Sequence, residues 1–239
     1  GREDEIAALT QYLRSGIGRL ITIVGEGGVG KTRLVLAFAQ SLLALPVVTP
    51  EVGSHSASAK DHQTLSLANQ LFPDGIWFVA LAGLDPSSAT SIGNQLASAI
   101  AKTISFSFGR TDLEPAAQLL HHLRPIAQLL ILDDFENLLA GTPFVLDLLQ
   151  HAPQVRVLIT SRIPLNCQAE RLLKLPGLPV AKEETQAALD LPSVQLFVER
   201  ARQQSADFSP SAQSLREVSR LCRLVNGNPL AVELAAHWV

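Results

Sequence analysis

The run RLITIVGEGGVGKTRLVLAF, Arg19 to Phe38, constrains this chain more than any other stretch. RLITIV is a short apolar, β-branched segment and reads as a buried strand. A glycine-rich loop follows at once, and from Thr32 a helical pattern runs through TRLVLAFAQSLLAL to Pro46. Strand, loop and helix in that order make the spacing Gly25-x4-Gly30-Lys31-Thr32 a phosphate-binding loop. Glycines let the backbone wrap an anion with successive N–H groups pointing inward. The helix starting near Lys31 adds its positive N-terminal end. Lys31 is expected to reach the β- and γ-phosphates of a nucleoside triphosphate, and the Thr32 hydroxyl to ligate Mg²⁺. The expected nucleotide contacts are Gly25, Gly27, Gly28, Val29, Gly30, Lys31 and Thr32, with Arg33 beside them. Arg33 itself reads as a helix-face charge rather than a catalytic group, and Glu26 as a side chain facing solvent.

A metal-dependent phosphate site also needs an acid at a strand end, and LLILDD supplies one. Leu129 to Leu132 run into Asp133 and Asp134, at the strand edge where open α/β sheets bind ligands. Asp133 is expected to hold Mg²⁺, and Asp134 to polarise or orient an attacking water. VLITSR brings Thr160, Ser161 and Arg162 to another strand end. A guanidinium there can give charge-assisted hydrogen bonds to a γ-phosphate. His121 and His122 have no partner at ligand spacing and read as solvated; Trp77 and Trp238 read as packing residues.

The order of elements predicts an α/β fold. EDEIAALTQYL is a helix with acids in its first turn. Strands are predicted at RLITIV, IWFVAL, LLILDD, VRVLIT and RLLKL, giving a mainly parallel five-stranded sheet flanked by helices. SATSIGNQLASAIAKTI and EPAAQLLHHL lie between strands as helices. Residues 46–71 are rich in Ser, Thr and Ala and read as an insertion with a short helix near Leu65–Leu71. After Val180 the pattern is all helical: PSVQLFVERARQQ, then SPSAQSLREVSRLCRLVNG with Gly227 at the C′ position. The last helix is NPLAVELAAHWV, with Asn228 as N-cap and Pro229 at N1. The expected division is a nucleotide-binding domain over 1–180 and a small all-α domain over 181–239.

With 47% hydrophobic and 17% charged residues the chain buries a sizeable core and is not a disordered segment. A net charge of −3 gives no general attraction to nucleic acid. No apolar run approaches a membrane span, and GREDEI resembles no signal peptide. Cys167 and Cys222 lie in no metal-ligand spacing and are expected as reduced, buried thiols of a cytoplasmic protein. The absence of methionine suggests a piece of a longer protein.

Taken together, GREDEIAAL, GEGGVGKTRL, DGIWFVAL, LLILDDFENLL, VLITSR, PSVQLFVERAR and NGNPLAVELAA resemble a known family. This is the AP-ATPase or NB-ARC branch of the STAND signal-transduction P-loop NTPases, and the bacterial type most closely. The resemblance implies ATP and ADP with Mg²⁺ as ligands, and Gly1 and Arg2 on the adenine side, largely through backbone. It implies Arg162 as a γ-phosphate sensor and Pro229 of the helical lid as a nucleotide contact. Asn228 stands where an aliphatic residue is more usual, and Asp134 where many bacterial relatives have Asn. The family behaviour implied is a switch. ADP holds a closed state, exchange to ATP permits self-oligomerisation of the full-length protein, and slow hydrolysis by Lys31, Asp134 and Arg162 resets it. Winged-helix, effector and sensor regions would lie in cis outside this chain; the chain itself is expected to bind neither membrane nor nucleic acid. The rival readings are a non-hydrolysing ADP scaffold, an AAA+-like motor and a small-molecule kinase. NGNPLAVELAA carries no Arg, which counts against the motor. Arg200, Arg202, Arg216, Arg220 and Arg223 fit exposed helical faces, which counts against the kinase.

Overall fold

The computed structural model describes residues 1–16, 18–45, 66–88, 90–109, 112–181, 190–205 and 207–238. Its centre is a mainly parallel five-stranded sheet in the order β2-β3-β4-β1-β5. The strands are β1 (Leu20–Val24), β2 (Ile76–Ala80), β3 (Leu129–Asp133), β4 (Arg156–Ser161) and β5 (Glu170–Lys174). Residue type follows position in the sheet. LLILD of β3 is buried throughout and ITIV and VLITS of its inner companions nearly so, as strands covered on both faces must be. The two edge strands, IWFVA and ERLLK, are each partly exposed, and charged side chains on β5 blunt an edge that would otherwise pair with another chain. Register is continuous from Ile76↔Leu129 to Ala80↔Asp133 and from Leu129↔Arg156 to Leu132↔Ile159.

By contacts the chain forms two compact units, one of Asp4–Ile23 and Thr32–Leu173, the other of Gly1–Glu3, Val24–Lys31 and Lys174–Val239. In the first, α4 (Ile92–Thr103), α5 (Pro115–Leu123) and α6 (Thr142–His151) pack on the sheet. Leu96, Ile100, Leu119, Leu123, Val145 and Leu148 are wholly buried there, at the i, i+4 or i, i+3 spacing that puts them on one face of each helix. The elements expected from sequence do not include α6 or the 3-10 segment Phe135–Gly141 before it. The spacing of Phe144, Val145, Leu148 and Leu149 carries the signal. Gly141 lets that turn lie against α4, because a Cβ there would come 2.5 Å from Leu96 Cδ1.

In the second unit, α7 (Pro192–Gln204), α8 (Ala212–Leu224) and α9 (Pro229–Ala236) close a small core around Val194, Phe197, Ala201, Cys222, Val232 and Ala236. Arg200 of α7 pairs with Glu233 of α9 at 2.9 Å with both side chains half-buried, so it is not the exposed helix-face arginine expected. The α8 terminus also differs by one residue. Asn226 (φ 51) takes the left-handed C′ position and Gly227 (φ 64) follows it, with Gly227 N donating to Cys222 O at 2.8 Å and Asn226 N to Arg223 O at 3.0 Å, a Schellman end. Gly227 is required for another reason: a Cβ would come 2.0 Å from Leu178 O.

Of the expected insertion, residues 46–65 lie outside the described residues, and Leu67–Leu71 form α3, capped by Ser66. Cys222 is buried, and burial pushes its thiol pKa up; Cys167 is only partly buried. Trp238 is 91% exposed and packs no core. It lies past the end of α9, whose C-cap is His237. His122 stacks on Phe106 with centroids 4.3 Å apart, so it is not simply solvated. No described helix is long and apolar enough to cross a membrane.

Leu132 of β3 is wholly buried among the sheet's apolar neighbours. Leu132→Ala should lower the unfolding free energy by about 2–5 kcal/mol, read from chemical denaturation; a loss below about 1 kcal/mol would mean that the strand is not packed as described.

Candidate functional site

The sheet-bearing unit places the acid, the threonine of the loop motif and a second threonine together. Four leucine and isoleucine positions bury β3 to its end, so Asp133 is only 5% exposed. Its carboxylate cannot stay there without donors. Thr32, in the first turn of α2 (Lys31–Ala44), donates its hydroxyl to both oxygens, at 3.0 Å to Oδ1 and 3.0 Å to Oδ2. Thr160, wholly buried near the end of β4, donates to Oδ1 at 2.6 Å. The same Thr160 oxygen accepts from the Asp134 backbone N at 3.0 Å. Thus one β4 hydroxyl fixes both acids of the LDD run. Oxygen ligands of this hardness, one carboxylate with one hydroxyl, suit Mg²⁺, which prefers few protein ligands and keeps several waters.

Asp134 has φ 62 and ψ 52, the left-handed region that Asp tolerates better than most residues. The strand therefore ends sharply at Asp133, and the chain turns into the 3-10 segment. Arg162, just past β4, pairs through Nε with Glu136 Oε1 at 2.9 Å. The arginine is 65% exposed and the glutamate 14%, while Glu136 Oε2 is buried without a hydrogen-bond partner. Ser161 is buried and turns back locally, its hydroxyl bonded to Ile163 O at 2.6 Å and accepting from Ile163 N at 3.2 Å. Arg33 lies on the exposed side of α2.

The helical unit holds the loop itself. Gly28 (φ +78) and Gly30 (φ +96) take backbone angles that side-chain-bearing residues avoid. A Cβ on Gly25 would come 2.7 Å from Leu175 O, and one on Gly28 2.6 Å from Leu230 Cβ. Lys31 is 7% exposed, and its ammonium donates to Gly25 O at 2.9 Å and Glu26 O at 3.1 Å. The ammonium thus lies over the loop that the motif assigns to it. Gly1 packs by Pro192. Arg2 contributes its side chain: the guanidinium donates to Val29 O at 3.2 Å and Pro176 O at 2.8 Å.

Pro229 opens α9 as expected, with Asn228 capping it: Oδ1 accepts from Leu230 N at 3.1 Å and Ala231 N at 3.3 Å. The cap does more than the sequence indicated. Asn228 Nδ2 donates to Gly27 O at 2.9 Å, and Leu230 N also lies 3.2 Å from Gly28 O. Gly27, Gly28 and Val29 are therefore all engaged by side chains or backbone of their own unit. Sequence reasoning missed Thr160 as a holder of Asp133, Glu136 as the partner of Arg162, and Asn228 as a donor to the loop. Only Asn228 had a usable signal, an amide at an N-cap with a second polar atom to spare.

Comparison with known proteins agrees with this geometry. The AAA ATPase domain family model matches residues 1–160. A Mycobacterium tuberculosis (strain ATCC 25618 / H37Rv) protein named as an HTH-type transcriptional regulator is 29% identical over 223 residues, 91% of this chain and 20% of its own length. An uncharacterized protein of the same strain is 27% identical over 237 residues, 99% of this chain and 49% of its own length. The chain thus spans only 20% and 49% of these curated relatives. Among solved structures, a STAND protein with a tetratricopeptide repeat sensor from Pyrococcus horikoshii matches 99% of this chain and 29% of its own, with a TM-score of 0.51 at 17% identity; that likeness concerns the fold. With its phosphate loop, its buried strand-end acid and its matched 160 residues, the chain belongs to the AAA ATPase domain family.

Proposed function

We propose that this ATPase domain works as an ATP/ADP-dependent switch of the STAND type rather than as a motor. The observation that carries the reading lies in the helical unit: α9, the helix that begins at Pro229, is hydrogen-bonded directly to the phosphate loop through Leu230 and Asn228. A helix tied to the loop backbone responds to what the loop holds. In this reading Gly25, Gly27, Gly28, Val29, Gly30 and Lys31 bind the phosphates, and Gly1, Arg2 and Pro229 contact the nucleotide. Thr32 and Asp133 hold Mg²⁺. When bound, the ion neutralises phosphate charge and orients the oxygens. Asp134 orients or activates water, and Arg162 exchanges Glu136 for a γ-phosphate. Residues 1–180 act as the nucleotide-binding domain and 181–239 as its lid, in a cytoplasmic protein that self-associates when ATP replaces ADP.

The longer relatives support further segments in cis. The relative named as a transcriptional regulator supports an output through a separate DNA-binding segment, since this chain carries a net charge of −3. A motor is the second reading, favoured by the family match itself. Arg200 of the helical unit is already paired with Glu233 of α9, which favours the switch.

Denaturing the purified protein and separating the released nucleotide should yield stoichiometric ADP from the wild type and none from Lys31→Ala; an empty wild type with rapid multiple turnover would favour the motor. Asp134→Ala should retain ADP binding and slow hydrolysis by about 10²-fold or more, measured as phosphate release; unchanged turnover would remove Asp134 from the mechanism. Thr160→Val keeps the shape but leaves the Asp134 N–H and an Asp133 oxygen short of a partner. It should cost about 1–3 kcal/mol of stability in a urea titration, and weaken Mg²⁺-dependent binding; a neutral effect on both would show that Thr160 is not a support of the acids.

A further inference from the structure

Three successive carbonyls of the phosphate loop are each held from outside the loop. Gly27 O accepts from Asn228 Nδ2 at 2.9 Å, Gly28 O from Leu230 N at 3.2 Å, and Val29 O from Arg2 at 3.2 Å. In a planar trans peptide the C=O and the following N–H point in opposite directions. Holding those three carbonyls outward therefore turns the N–H groups of Gly28, Val29 and Gly30 the other way, toward the loop's interior. Val29 shows the result, its N–H reaching across the loop to Glu26 O at 3.4 Å, a length that leaves it ready for a better acceptor. Inward N–H groups are what an anion nest consists of.

We propose that Asn228 is a positioning residue for phosphate binding: one end of its carboxamide caps α9, while the other fixes the Gly27–Gly28 peptide with its N–H facing the anion. Arg2 does the same for the Val29–Gly30 peptide. Free of this restraint the glycine peptides would flip at little cost, because glycine visits both halves of φ space. The loop would then have to be ordered by the nucleotide, at the expense of affinity. The asymmetry of the amide is essential. Asn offers an acceptor to Leu230 and Ala231 and a donor to Gly27; an aliphatic residue offers neither, and Ser, Thr or Asp offers the acceptor only at this reach.

The inference rests on the reading of this loop as a nucleotide site, and two readouts keep the two apart. Asn228→Ser retains a neutral N-cap oxygen and adds no charge beside the anion, so α9 should persist with little change in nucleotide-free melting temperature. Its affinity for Mg-ADP, measured by calorimetry, should fall about five- to twentyfold. Amide hydrogen exchange at residues 28–30 should quicken in the nucleotide-free protein. Wild-type affinity and wild-type exchange together would overturn the proposal and leave Asn228 as a helix cap only. Asn228→Asp, an equally good cap, repeats the exchange measurement should the serine variant fold poorly; slow exchange there would also overturn it. Lys31→Ala serves as the reference for the loop itself. If that variant binds ADP as the wild type does, the nucleotide reading of the loop fails, while the nucleotide-free exchange comparison still decides the role of Asn228.

Discussion

A carboxylate at the end of a fully apolar strand sets the terms for the sheet-bearing unit. Burying an ion without donors costs far more than a domain's net stability, so the surroundings of Asp133 have to supply them. They come from two other places in the chain: Thr32 at the start of α2, 101 residues away, and Thr160 near the end of β4, 27 residues away. The sheet order explains why these two can serve. β4 lies directly beside β3 in parallel register, so its C-terminal hydroxyl arrives beside the C-terminal acid. Thr160 also takes the Asp134 N–H, which stabilises the left-handed turn that ends the strand.

The phosphate loop obeys a complementary constraint. Its own N–H groups have to be kept for a ligand, so its carbonyls must be satisfied elsewhere, because buried backbone acceptors without partners are costly. Lys31 takes Gly25 O and Glu26 O, Asn228 takes Gly27 O, Leu230 N takes Gly28 O and Arg2 takes Val29 O. Five consecutive carbonyls thus have donors in their own unit. The Lys31 ammonium rests on carbonyls that an incoming phosphate can outcompete, since charge-assisted bonds to an anion are the stronger ones.

Much of this was legible in the sequence because it depends on local pattern. Short apolar runs ending in Gly or Asp, helices with Pro at N1, and the glycine spacing all speak through neighbours within a few residues. The parallel sheet and the all-helical tail follow from them, as does Asn228 as an N-cap. What escaped depends on pairing at a distance. Nothing in VLITSR distinguishes a Thr160 that turns inward to an acid from one that faces a ligand, because both are hydroxyls at a strand end. Arg2 was expected to act through its backbone, yet its guanidinium bridges Val29 O and Pro176 O, 27 and 174 residues away. Arg200 likewise looked like a surface charge until α9 brought Glu233 beside it. Trp238 misled in the opposite sense: a large aromatic residue suggests burial, but an eight-residue helix has one buried face, defined by Val232 and Ala236, and Trp238 is not on it.

The glycines of GEGGVGKT then carry two messages. Gly28 has a positive φ, which the phosphate loop demands of it for ligand geometry. It also has Leu230 Cβ where its own Cβ would be, at 2.6 Å, which α9 demands of it for packing. Each requirement alone would select glycine, and they come from segments about 200 residues apart, as the Asn228–Gly27 bond also does with a separation of 201. A motif usually read as a statement about phosphate is here also a statement about the helix that rests on it. That overlap is what makes a change at the loop and a change at the first turn of α9 physically the same event, with no intervening chain of residues needed to couple them.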